Sequence, residues 1–108
     1  LRAWALAREH YNQALEIYIE YGDRYSQAST YYQLAMVAEA TGDLENAKTD
    51  YLKDLEITIE FNDEHGLGIS LQNAARFYRD HPDDAFLSEI AKLLGIETAE
   101  LKHQINHS

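Results

Sequence analysis

The sequence contains no cysteine, which excludes disulfides, thiolate nucleophiles and cysteine-ligated zinc together. That absence suits a reducing cytoplasm, the expected location. Proline occurs once and glycine five times, so helix breakers are scarce, while Ala, Leu, Glu and Ile are plentiful. This composition favours helix over sheet. No run approaches the ~20 apolar residues that a membrane-spanning helix needs, and no charged segment followed by an apolar stretch marks a secretory signal. Basic residues are also in short supply, with nine Lys and Arg against 19 Asp and Glu and a net charge of −10. Affinity for nucleic acid comes mainly from phosphate contacts, so nucleic acid is not an expected partner. The acidity reads as a solvated surface. A chain of 108 residues is one small structural domain, which needs close helix packing or a neighbour to be stable.

Sites for chemistry are missing as well. There is no Gly-rich phosphate loop, no Ser or Thr in a nucleophile context, and no pair of carboxylates gathered into unequal surroundings. No enzymatic activity and no cofactor are expected. Of the five histidines, only His103 and His107 have the i, i+4 spacing that sets two ligands on one helix face, with Glu100 nearby. They sit at the end of the chain, and no metal site is expected.

What is present is a repeat. Sliding the chain against itself by about 40 residues superposes Ala7 on Ala47, Tyr11 on Tyr51, Leu15 on Leu55, Glu16 on Glu56, Ile17 on Ile57 and Ile19 on Ile59. Glu20 falls on Glu60, Asp23 on Asp63 and Ala35 on Ala75, with Tyr21 over Phe61. Ala7, Tyr11 and Leu15 lie one helical turn apart, so the matched positions form a packing face. Punctuation recurs with the same period. In Gly22-Asp23 and Gly42-Asp43, Gly suits a left-handed helix end and Asp the next N-cap. Asn62-Asp63 stands in the same role, and His81-Pro82-Asp83 is a stronger break.

These signals predict six helices, over Ala3–Tyr21, Arg24–Thr41, Leu44–Phe61, Glu64–Asp80, Asp84–Leu94 and Thr98–Asn106. Thr98 is the expected N-cap of the last. Gly66 and Gly68 make the start of the fourth the weakest, since Gly costs ~1 kcal/mol against Ala inside a helix. The fold class that follows is all-α, an antiparallel helix-hairpin superhelix. Small residues at Ala35, Ala47 and Ala75 let neighbouring helices approach, with Tyr31, Leu34, Tyr51 and Leu55 filling the space around them.

The stretch Tyr31-Tyr32-Gln33-Leu34-Ala35, followed by Gly42-Asp43-Leu44, Ala47, Tyr51 and Leu55, resembles a complete tetratricopeptide repeat. Asp54 stands where that family usually has Ala, and the closing proline is absent. The spacing near 40 residues is similar to the longer-helix subclass found in kinesin light chains and bacterial regulatory proteins. The resemblance covers roughly Ala3 to Asp80. It implies repeats over 1–81, the first lacking its leading helix, and capping helices over 82–108. It also implies a chain that is part of a longer bacterial, cytoplasmic protein.

As function, the resemblance implies a scaffold whose concave groove binds a protein or peptide. In such repeats the first helix of each pair lines the groove. The matching positions are Ser29, Tyr32, Gln33 and Met36, then Ile69, Gln72, Asn73, Arg76 and Arg79. Asn73 is the leading candidate, since an Asn there in related repeats clamps a peptide amide, and Arg76 would pair with a partner carboxylate. Glu45, Asp50, Asp54, Glu56 and Glu60 belong to the outer helix, so the groove is expected to be close to neutral. Two alternatives stand beside this reading. The stretch from Leu87 to Ile105 resembles a helix-turn-helix, with Thr98–Ile105 as the helix that would meet DNA. The incomplete first repeat would also expose a face around Trp4, Tyr11, Leu15 and Tyr18 on which a homodimer would form.

Overall fold

The computed structural model describes residues 2–107. Leu1 and Ser108, the outer ends of the two expected segments, lie outside the described residues. Six helices and no strand are found among those described: α1 (Arg2–Glu20), α2 (Arg24–Ala40), α3 (Leu44–Glu60), α4 (Glu64–Asp80), α5 (Asp84–Leu94) and α6 (Thr98–Asn106). The chain is all-α, as its composition and periodicity predict.

The short connections follow from two-residue chemistry. Gly22 and Gly42 have φ of 67° and 80°, the left-handed region that ends a helix without a Cβ clash. Asp43 N–H then reaches back to the Ala38 carbonyl at 2.8 Å, while the Asp43 carboxylate accepts from Asn46 N–H at 3.3 Å. One dipeptide thus closes α2 and opens α3. Asp23 caps α2 and Asp63 caps α4 in the same way. Asn62 takes glycine's place, with φ of 52°. Asp83 caps α5 through Ala85 and Phe86 and pairs with Lys48, tying α5 to α3. At α6 the expectation needs correction: Glu97 is the N-cap, without a side-chain bond, and Thr98 is already helical.

Helices α2 and α3 form the most closely packed pair, α1 adds to α2, α4 to α3, and α5 with α6 closes the far side. The core holds Tyr51, Leu55, Phe77, Leu87 and Ile90, with Ala35, Ala47 and Ala74 at the helix crossings. In α1, Tyr11, Leu15 and Tyr18 are half-buried, because the face spaced at 7, 11, 14, 15 and 18 is the one that meets α2. The exposed apolar residues are Trp4, Leu6, Ile17 and Ile19. The face expected to be open is thus largely a packing face.

The start of α4 separates its two glycines. A Cβ on Gly66 would come within 2.6 Å of the Asp63 carboxylate, whereas one on Gly68 would meet nothing within 4 Å. Gly68 is exposed, so Gly68→Ala is expected to stabilise the chain by about 0.5–1 kcal/mol, and Gly66→Ala to bring no gain. Thermal unfolding of the two variants checks this; equal gains at both positions would contradict it.

Candidate functional site

A groove of about 350 Å³ runs between α2 and α4 over a floor made by α3. Tyr25, Ser29 and Tyr32 project from α2, Ile69 and Asn73 from α4, and Asp54, Thr58 and Ser70 lie at the bottom. The three turns that bring these residues together are the caps described above. The helical period does the rest: 25, 29 and 32 share one face of α2, and 66, 69, 70 and 73 one face of α4. Gly66 contributes by having no side chain beside Asp63.

The candidate residues divide. Ser29, Tyr32, Ile69 and Asn73 meet in this groove. Gln33 and Met36 lie on α2 outside its lining. Gln72 belongs to a second groove of about 210 Å³, between α4 and α6, with Ala75, Leu94 and Leu101.

Arg76 is engaged within the protein. Its guanidinium donates to both oxygens of Glu39, at 3.0 and 2.8 Å. It also donates to the Tyr51 hydroxyl at 2.9 Å and to Asp80 at 3.0 Å. The Tyr51 hydroxyl in turn donates to Glu39 at 2.8 Å. The Arg76 guanidinium holds the Glu39 carboxyl below the usual range, while burial pushes the Tyr51 phenol up. This network joins α2, α3 and α4 and uses a forked donor on a forked acceptor. Arg79 reaches the Ile105 carbonyl at 3.5 Å, linking α4 to α6.

Asp54 lies on the outer helix, which is expected to keep its charge away from the groove, and the structure corrects this expectation. Its side chain lines the groove floor and the residue is 6 % exposed. Thr58 Oγ1 donates to the Asp54 backbone carbonyl at 2.7 Å and lies 3.4 Å from the carboxylate. Ser70 Oγ is 3.2 Å from that hydroxyl. Burial pushes the Asp54 carboxyl up, and the Ser70 and Thr58 hydroxyls offset part of this. With Asp63 also in the lining and no Lys, Arg or His among the lining residues, the groove is acidic rather than neutral. The signal was present in the sequence. Positions 47, 51, 54 and 58 share a helix face, and Asp54 replaces the small residue usual in the resembled repeat.

Among the described residues no group of three or more His, Cys, Asp or Glu could hold a metal ion. His103 and His107 stack on each other, ring centroids 4.1 Å apart. No helix among those described is long and apolar enough to cross a membrane. On α6, Leu101 and Ile105 are buried and Glu100, Lys102 and His103 face solvent, as does the N-cap Glu97.

Antiparallel helices joined by Gly-Asp turns, repeating along the chain, define a helical-repeat fold. Residues 1–53 match the tetratricopeptide repeat family, and this part of the chain is a tetratricopeptide-repeat segment. The match covers α1, α2 and the first half of α3. The internal repeat carries the same pattern on into α4. No curated protein and no solved structure matches the chain. Tetratricopeptide repeats in general are non-catalytic scaffolds that bind proteins or peptides.

Proposed function

We propose that the chain is a binding module that receives an extended segment of a partner protein in the groove between α2 and α4. One observation carries this reading. Among the described residues nothing bonds to the side-chain amide of Asn73 or the hydroxyl of Ser29, although both line the groove. An amide offers a donor and an acceptor together, which matches a peptide group. Tyr32 and Ile69 supply apolar contact on either side. Helices α5 and α6 then act as a cap over the end of the repeats, holding α4 at the spacing that keeps the groove open.

The test is capture of a partner by the chain, followed by titration of that partner against an Asn73→Ala/Tyr32→Ala double variant. A loss of about tenfold in affinity is expected, since two such contacts together are worth about 1–2 kcal/mol. A change on the outer face of α3, Glu56→Gln, is expected to leave the affinity unaltered. Undiminished binding by the double variant would exclude this groove as the site.

A further inference from the structure

We infer that the groove between α2 and α4 takes one cationic side chain of the bound peptide, a lysine or an arginine, with the Asp54 carboxylate as its counter-ion. This rests on the peptide-binding reading above and names what the groove selects.

The argument starts from the hydrogen-bonding capacity of Asp54. An ionised carboxylate accepts at about four positions. Two hydroxyl protons are within reach, those of Thr58 and Ser70. The Thr58 proton is directed to the backbone carbonyl at 2.7 Å, which leaves only a long 3.4 Å approach to the carboxylate. Among the described residues no Lys, Arg or His forms an ion pair with Asp54. Glu39 and Asp83, both more exposed than Asp54, are matched by Arg76 and by Lys48, whereas Asp54, like Asp50 on the other side of α3, has no ion-pair partner among the described residues. A buried charge without a partner is costly, and at Asp54 the unused acceptor sites open onto the groove.

The walls fit the same ligand. Tyr25 and Tyr32 flank the groove, and aromatic faces attract a desolvated cation. Tyr25 is 62 % exposed and is braced edge-on by Phe61, centroids 5.5 Å apart. Asp63 adds a second negative charge at the end of the groove. Ammonium and guanidinium groups donate and do not accept, which is the complement of a floor of carboxylate and hydroxyl oxygens. An acidic or neutral partner side chain would leave the floor carboxylate uncompensated, so the site discriminates by charge.

The probes are four pentapeptides, acetyl-Ala-Ala-Xaa-Ala-Ala-amide with arginine, lysine, citrulline or norleucine in the centre. Each is titrated at millimolar concentration against the isotope-labelled chain while backbone amide resonances are followed. The arginine and lysine peptides are expected to move the amides of Gly66, Ser70 and Asn73, with at least tenfold higher affinity than the citrulline and norleucine peptides. Asp54→Asn, nearly identical in shape, is expected to abolish that difference. Tyr32→Leu leaves the carboxylate in place and should weaken the arginine peptide about threefold. Equal affinity of all four peptides at these amides would overturn the cation assignment while leaving the peptide groove intact. Perturbations confined to the outer carboxylates of α3 would overturn it too. If no peptide moves the groove amides, both readings fall.

Discussion

Replacement of Phe77 by alanine is expected to destabilise the chain by about 3–5 kcal/mol, the largest loss of any single truncation considered. Phe77 is fully buried and its ring meets three others: Tyr51 on α3 at 5.1 Å, Phe86 on α5 at 5.4 Å and His81 at 5.0 Å between centroids. It is therefore the common contact of α3, α4 and α5. Removing it opens a cavity where three elements meet, and partial collapse there can relieve only part of the loss. The stability of a domain is typically about 5–15 kcal/mol, so the variant should lose a large fraction of it. Denaturant unfolding followed by circular dichroism reads the change. Phe77→Leu, which keeps most of the volume, is expected to cost much less, about 1–1.5 kcal/mol. An alanine variant within 1 kcal/mol of the parent would mean that the α3–α5 junction contributes little to stability.

The second large effect has the opposite sign and depends on pH. Asp50 sits in a recess with Arg8, Asn12, Leu15, Tyr31 and Asn46, between α1, α2 and α3. Burial and the nearby Asp43 carboxylate push its carboxyl up to about 6, against a smaller opposing pull from Arg8. A carboxyl that binds its proton more tightly when folded destabilises the fold in its charged form. The penalty is complete above pH ~6 and disappears as pH falls towards ~4, where the acid is protonated in both states. Each pH unit of displacement is worth about 1.4 kcal/mol. Allowing for the solvent contact Asp50 retains, Asp50→Asn should stabilise the chain by about 2 kcal/mol at pH 7.5. The advantage should shrink to nearly nothing at pH 4. Melting temperatures of both proteins across this range give the answer. A gain that stays constant with pH, or a loss at pH 7.5, would show that Asp50 is not held in its charged form against burial.

Both aspartates, Asp50 and Asp54, fall by sequence with the other acidic residues of the outer helix. They have different surroundings from Glu45 and Glu60 on the same helix, which are exposed. Polarity alone places an aspartate outside, because water usually solvates its charge best. The repeat pattern spoke against this for Asp54, since it lies on the same face as Ala47 and Tyr51, but it could not say that a groove lies above it. Arg76 illustrates the opposite case. Its spacing on α4 suited a groove position, yet Glu39, 37 residues earlier, lies within 2.8 Å of its guanidinium. No local pattern links those two positions.

The boundaries of the helices are another matter. Gly42-Asp43 and Asn62-Asp63 act through bonds to groups within a few residues, so their effect is the same wherever the helices end up. The packing faces of α1 to α4 are likewise written in a period that backbone geometry imposes. Six helices, their turns and their apolar faces were therefore readable from the order of residues, and with them the membership of a repeat family. Which polar side chains are buried, which carboxylates find a cation and which amide stays free depended on distances between helices remote in sequence. Those distances are set by side-chain packing across α2, α3 and α4 together, a property of the assembled tertiary structure that no single segment carries.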